Sequence, residues 1–81
     1  MRLFLSLHAL KRMEERCVSR EDIEHALANC HSSWETSHDS IQYEGEGADG
    51  LRTLKVWLLP PGVSQTETML VVKSVAWKDE D

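Results

Sequence analysis

Cysteine is scarce in this chain of 81 residues, where Cys17 and Cys30 are the only two. Small secreted domains stapled by disulfides need several pairs, so that class is excluded. No Cys-x-x-Cys pair occurs, and no two histidines stand at metal-binding helix spacing. His25, His31, His38 and the adjacent Cys30-His31 fit no recognised ligand pattern, so neither a metal nor a cofactor is expected. No apolar run approaches the length of a membrane span. Basic residues are also short, with nine Lys and Arg against fourteen Asp and Glu. An acidic chain is a poor general ligand for nucleic acid, because phosphate contact depends on Lys and Arg. Repeats, linkers and low-complexity stretches are absent, which leaves one domain over residues 1–81.

What is present is enough to build a core. Hydrophobic residues make up 41% of the chain, the share of a folded domain rather than a disordered one. Trp34, Trp57 and Trp77 supply large apolar area, chiefly for a core or a dimer interface, and the set is also able to stack nucleobases. That matters here, since a domain of this size buries only about 60–65% of its unfolded surface. The opening, Met1-Arg2-Leu3-Phe4-Leu5-Ser6-Leu7, is faintly signal-like. His8, Lys11 and Arg12 interrupt it, and no small-residue cleavage site follows. A cytoplasmic protein with reduced thiols is expected.

The hydrophobic pattern changes period once. Ser6 is a good N-cap, and Leu7, Leu10, Met13 and Cys17 recur at helical spacing, which predicts a helix over residues 7–16. Ser19-Arg20-Glu21-Asp22 is close to a capping box, with Val18 and Ile23 placed as a hydrophobic staple. A second helix follows, with Ile23, Ala26, Leu27 and Cys30 as its buried stripe. Cys17 stands between the helices where a left-handed glycine is expected. From there the period is two. Strands are predicted at 32–36, 41–46, 51–59 and 69–77, with a turn at His38-Asp39-Ser40. Pro60-Pro61-Gly62 ends the third strand, a polar loop runs to Thr68, and residues 78–81 form a solvated tail. Gly45-x-Gly47-x-x-Gly50 is a hairpin loop rather than a dinucleotide fingerprint, because no helix follows to hold a pyrophosphate.

Charge is uneven along this pattern. Arg2, Lys11, Arg12, Arg16 and Arg20 meet only Glu14 and Glu15 in the first twenty residues. His8, Arg12 and Arg16 fall at i, i+4 and i+8, hence on one helix face. The first turn of a helix favours a neutral imidazole, which can take a proton from a ribose 2′-hydroxyl. Arg12, one turn on, can hold a phosphate through its planar fork, and Arg16 extends the stripe. The competing reading is structural: His8 bonds the sheet, and Arg12 pairs with Glu15 or Glu44. Lys73 lies within an apolar strand, beside Val71 and Val75 by alternation, either near His8 as a phosphate ligand, or snorkelling to the sheet edge or pairing with a carboxylate. Tyr43 is a candidate substrate-binding proton donor or a half-buried sheet aromatic.

The stretch Leu7-His8-Ala9-Leu10-Lys11-Arg12-Met13-Glu14-Glu15-Arg16, followed by Val18-Ser19-Arg20-Glu21-Asp22-Ile23, resembles the bacterial family called domain of unknown function 4258. The specific likeness covers residues 6–28. His8 and Arg12 fall on motif positions, with Arg16 as a third, while Cys17 replaces the glycine that usually ends the first helix. The order of elements also resembles the RelE, ParE and BrnT toxin nucleases.

These readings set the expectations. The fold is expected to be α+β, two N-terminal helices on a four-stranded, mostly antiparallel sheet, with residues 2–5 available as an added edge strand. One functional expectation is a toxin-derived domain that binds RNA, or cuts it without metal, using His8 as base and Arg12 as clamp. Its partners would be RNA and an antitoxin-like protein. The other is a non-catalytic module that forms a homodimer or binds another protein. No membrane role is expected.

Overall fold

A computed structural model describes residues 2–37, 39–60, 62–63 and 69–78. His38, Pro61, most of the predicted polar loop and residues 79–81 of the tail lie outside the described residues. The elements run β1 (Leu3–Leu5), α1 (Leu7–Arg16), α2 (Arg20–Ala28), β2 (Cys30–Glu35), β3 (Ile41–Glu46), β4 (Thr53–Leu58) and β5 (Leu70–Trp77). No helix among the described residues is long and apolar enough to cross a membrane.

The five strands form one sheet in the order β1-β5-β4-β3-β2. Strands β2 to β5 make an antiparallel meander, and β1 pairs parallel with β5. This corrects the expected four-stranded, mostly antiparallel sheet. The sheet is mixed, and a strand precedes both helices. Three residues are too few to show a period, yet tertiary pairing fixes them. Leu70 N donates to Arg2 O at 2.9 Å and Ser6 N to Val72 O at 3.2 Å. Leu3 then packs into the core opposite Leu70.

Both helices lie over one face of the sheet, α1 along β5 and α2 across β3 and β4. On that face Leu54, Val56, Leu58, Val72 and Val75 are fully buried beside Trp77. Each such side chain contributes about 1.5–3 kcal/mol by leaving water. Gly45 permits the close approach of α2, since a Cβ there would collide with the Ala26 carbonyl oxygen. The α1 face that packs is not the stripe read from the sequence. Ala9 is buried and Met13 partly so, whereas Leu7 and Leu10 stay exposed.

The helix ends follow the sequence closely. Ser19 Oγ accepts from Asp22 N at 3.1 Å, and Asp22 Oδ2 accepts from Ser19 N at 2.9 Å, which completes the capping box. The second Asp22 oxygen accepts from Ala48 N at 2.9 Å and ties the β3–β4 loop to α2. Cys17 does adopt the left-handed conformation (φ 55°, ψ 46°). The next amide, Val18 N, then reaches back to Met13 O at 2.9 Å, closing the helix as a glycine would. Cys30 belongs to β2 rather than to the stripe of α2.

Candidate functional site

Both helices pack on one face, and among the described residues no helix or strand covers the other. Across it, Trp34 of β2 pairs with Gln42 of β3, Gln42 with Trp57 of β4, and Trp57 with Ser74 of β5. Directly opposed residues share a face, so the four side chains form one transverse row.

Strand β5 departs from simple alternation beside this row. Its register with β4 slips between Trp57 and Leu58, so that Ser74 opposes Trp57 and Val72 opposes Leu58. Lys73 is the extra residue of this bulge. The bulge corrects the expected grouping of Lys73 with Val71 and Val75, because Val75 is buried on the helix side, opposite Val56. It also anchors α1. Ser6 Oγ donates to Lys73 O at 3.2 Å while accepting from Ala9 N at 3.0 Å. One hydroxyl thus caps the helix and fastens it to the bulge.

A hollow of about 370 Å³ results on the open face. Gln42, Trp57 and Ser74 form its floor. His8 and Lys73 stand at the β5 end, and Thr36 and Ser40 at the β2–β3 turn. His8 is exposed and Lys73 half-buried. The hydroxyls of Thr36 and Ser40 bond each other at 2.7 Å. Lys55 Nζ lies 5.7 Å from the centroid of the Trp57 ring, adding positive charge beside the floor. The carboxylate of Glu44, nearly buried, is held by Lys78 Nζ at 3.1 Å and by Gln42 Nε2 at 3.2 Å.

The structure gathers some of the predicted residues and separates others. His8 and Lys73, 65 positions apart in the chain, line the same hollow. Arg12 lies one turn along α1 and donates to Glu15 Oε1 at 2.7 Å, one of the two pairings expected of a structural role. That hydrogen bond holds the Glu15 carboxyl below the usual carboxylate range. Arg16 lies about 12 Å from His8 along the helix axis, and its carbonyl accepts from Trp77 Nε1 at 2.8 Å. Tyr43 is buried on the helix side, where its hydroxyl accepts from Val63 N at 2.9 Å, away from the hollow.

Gln42, Ser74, Thr36 and Ser40 were not singled out by the sequence. Only the strand register brings them together, and no local motif encodes it. Elsewhere, the backbone N–H groups of Leu51 and Arg52 hold the Asp49 carboxyl below its usual range, which is turn chemistry. Both cysteines are free thiols, Cys17 exposed and Cys30 half-buried with Sγ donating to Ser32 O at 3.2 Å. Among the described residues, no three of His, Cys, Asp and Glu cluster as a metal site.

Comparison with known proteins gives one finding. Neither the curated proteins nor the solved structures contain a match. A family model matches residues 5–55, from the end of β1 into β4, so that His8, Thr36, Ser40 and Gln42 lie within the match and Trp57, Lys73 and Ser74 beyond it. The match covers more than half of the chain, which therefore belongs to the family described as "Domain of unknown function (DUF4258)".

Proposed function

We propose that this protein binds RNA at the hollow on its open sheet face and cuts the strand there without recourse to a metal. The observation that carries the proposal is the meeting of His8, Lys73 and Trp57 around one cavity. These supply a base for a 2′-hydroxyl, a cation for the phosphate and a stacking surface that holds a nucleobase in place. His8 takes the proton of a 2′-hydroxyl, and the freed oxygen attacks the adjoining phosphorus. The bond to the 5′-oxygen breaks, that oxygen takes a proton from water, and a 2′,3′-cyclic phosphate remains. Lys73 sits beside the non-bridging oxygens. An ammonium has three N–H donors and can serve a phosphate along with a protein partner. Arg12 and Arg16 continue the cationic track along α1, Arg12 exchanging Glu15 for a phosphate. The acidic balance of the rest of the chain works against this binding, and affinity should fall with added salt in proportion to the few phosphates that Lys73, Arg12 and Arg16 neutralise.

The test is cleavage of a mixed RNA by the purified protein with chelator present. Wild type is expected to cut. His8→Ala should bind without cutting, and Arg12→Ala should bind more weakly. Absence of both binding and cleavage by the wild type overturns the proposal. On this reading an antitoxin-like protein that covers the hollow would silence the activity.

A second reading, a homodimer or protein-binding module, draws on other features. Leu7 and Leu10 on α1 and Phe4 on β1 are large apolar side chains left exposed. Among the described residues, strand β2 is also an edge with no strand paired on its outer side. Counting back from the Thr36 N to Ser40 O hydrogen bond, the backbone groups of Ser33 and Glu35 point outward along that edge. A molecular mass in solution that doubles with concentration, and stays single in a Leu7→Glu/Leu10→Glu variant, is the result this reading expects.

A further inference from the structure

We infer that the open face takes unpaired bases two at a time, one on Trp57 and one on Trp34, and so selects single-stranded RNA over duplex. This rests on the RNA reading above and adds Trp34, which lies outside the hollow, as a second binding residue.

The argument starts from the transverse row Trp34, Gln42, Trp57 and Ser74. Trp34 and Trp57 are two strands apart, roughly 10 Å at the usual strand spacing. Gln42 stands between them, its amide nitrogen held by Glu44 Oε2 at 3.2 Å. That anchor keeps the middle of the row filled by a polar side chain and stops the two indoles from collapsing onto each other. Trp34 is 45% exposed, and Trp57 is half-buried at the floor of the hollow. Every base has a π-face, so indoles set in this way bind bases without regard to sequence. In a duplex both faces of each base are covered by its neighbours, and only an unpaired strand can offer them.

Charge on this face agrees with such an occupant. Lys55 and Lys73 flank Trp57 where the linking phosphates would run. The buried carboxylate of the face, Glu44, is neutralised by Lys78 at 3.1 Å. Trp77 provides an internal control, since it is 1% exposed beneath the helices and no base can reach it.

The test is a titration of tryptophan emission at low salt. The probes are an unstructured 12-nucleotide RNA and the blunt duplex it forms with its complement. The single strand is expected to quench part of the emission, leaving the Trp77 share, and to bind at least tenfold more tightly than the duplex. Trp34→Ala and Trp57→Ala should each weaken binding by roughly tenfold. Trp34→Phe, which keeps an aromatic face, should restore most of it. Equal affinity for strand and duplex overturns this inference and leaves the RNA reading standing. Loss confined to Trp57→Ala overturns the second base site. Emission that shifts with protein concentration and not with RNA assigns the face to a second copy of the chain, and overturns it too. Failure of every oligonucleotide to bind removes the RNA reading and this inference together.

Discussion

Trp77 and Trp57 are the same residue in neighbouring strands, set on opposite faces of one sheet. Trp77 lies under the helices, 1% exposed, with its indole nitrogen donating to Arg16 O and the guanidinium of Arg52 3.9 Å from its ring centroid. Trp57 looks the other way, into a hollow with His8 and Lys73. The first indole is consumed by packing and closes the end of α1. The second is held by its strand neighbours and keeps a surface available. The helix side therefore carries most of the stability of the fold, and the open side carries polar and aromatic residues that stability does not require.

The largest effect that can break this contrast is expected from Trp77→Ala. Removing a fully buried indole costs about 3–5 kcal/mol. That approaches the whole stability of a domain of this size, roughly 4–12 kcal/mol at the usual value per residue. Urea unfolding followed by circular dichroism should find the variant largely unfolded in mild denaturant. Gly45→Ala comes next. Its Cβ would press on the Ala26 carbonyl, so α2 must move off the sheet at a cost of about 1–3 kcal/mol. For a domain of this length each kcal/mol lowers the thermal midpoint by roughly 4–8 °C.

The counterpart on the open face sharpens the contrast. Trp57→Ala removes the same side chain from the other side of the sheet, where it has cross-strand neighbours but no covering layer. Such pairs contribute about 0.2–1 kcal/mol each. The urea midpoint should therefore move little, whereas RNA binding should fall. A loss of several kcal/mol would mean that the open face is core after all.

The two faces also differ in how far the sequence revealed them. The helix side was largely legible, because alternation along β4 separates Leu54, Val56 and Leu58 from Lys55 and Trp57, and Ser6 and Ser19 mark helix starts. Residues 2–5 are legible as an available edge strand, and β1 fills that place; what escaped was its parallel pairing with β5, which three residues cannot announce, and the side of α1 that packs. The open site was legible in single residues only. His8 and Lys73 stood out by type and position, but their meeting depends on the β5 bulge, which no local pattern announces. Alternation carried through the bulge put Val75 on the wrong face. Gln42 and Ser74 are ordinary polar residues until the register sets them beside Trp57.

The smallest effect belongs to neither face and serves as a control for both. Cys17 joins α1 to α2 in a left-handed conformation, with its side chain exposed. A residue with a Cβ is strained there by about 1–2 kcal/mol, while glycine is not. Glycine gives back part of that gain through the freedom it adds to the unfolded chain. The net expectation for Cys17→Gly is a gain of roughly 0.5–1 kcal/mol, read as a higher urea midpoint. No buried contact is lost, and the Val18 N to Met13 O bond that closes α1 is kept. On the RNA reading, affinity should change little, because Cys17 lies at the far end of α1 from Ser6 and its anchor on Lys73 and adjoins only Arg16, the last residue of the cationic track. A stabilised variant with altered affinity would show that the α1–α2 joint and the hollow move together, and the two faces could no longer be treated as separable.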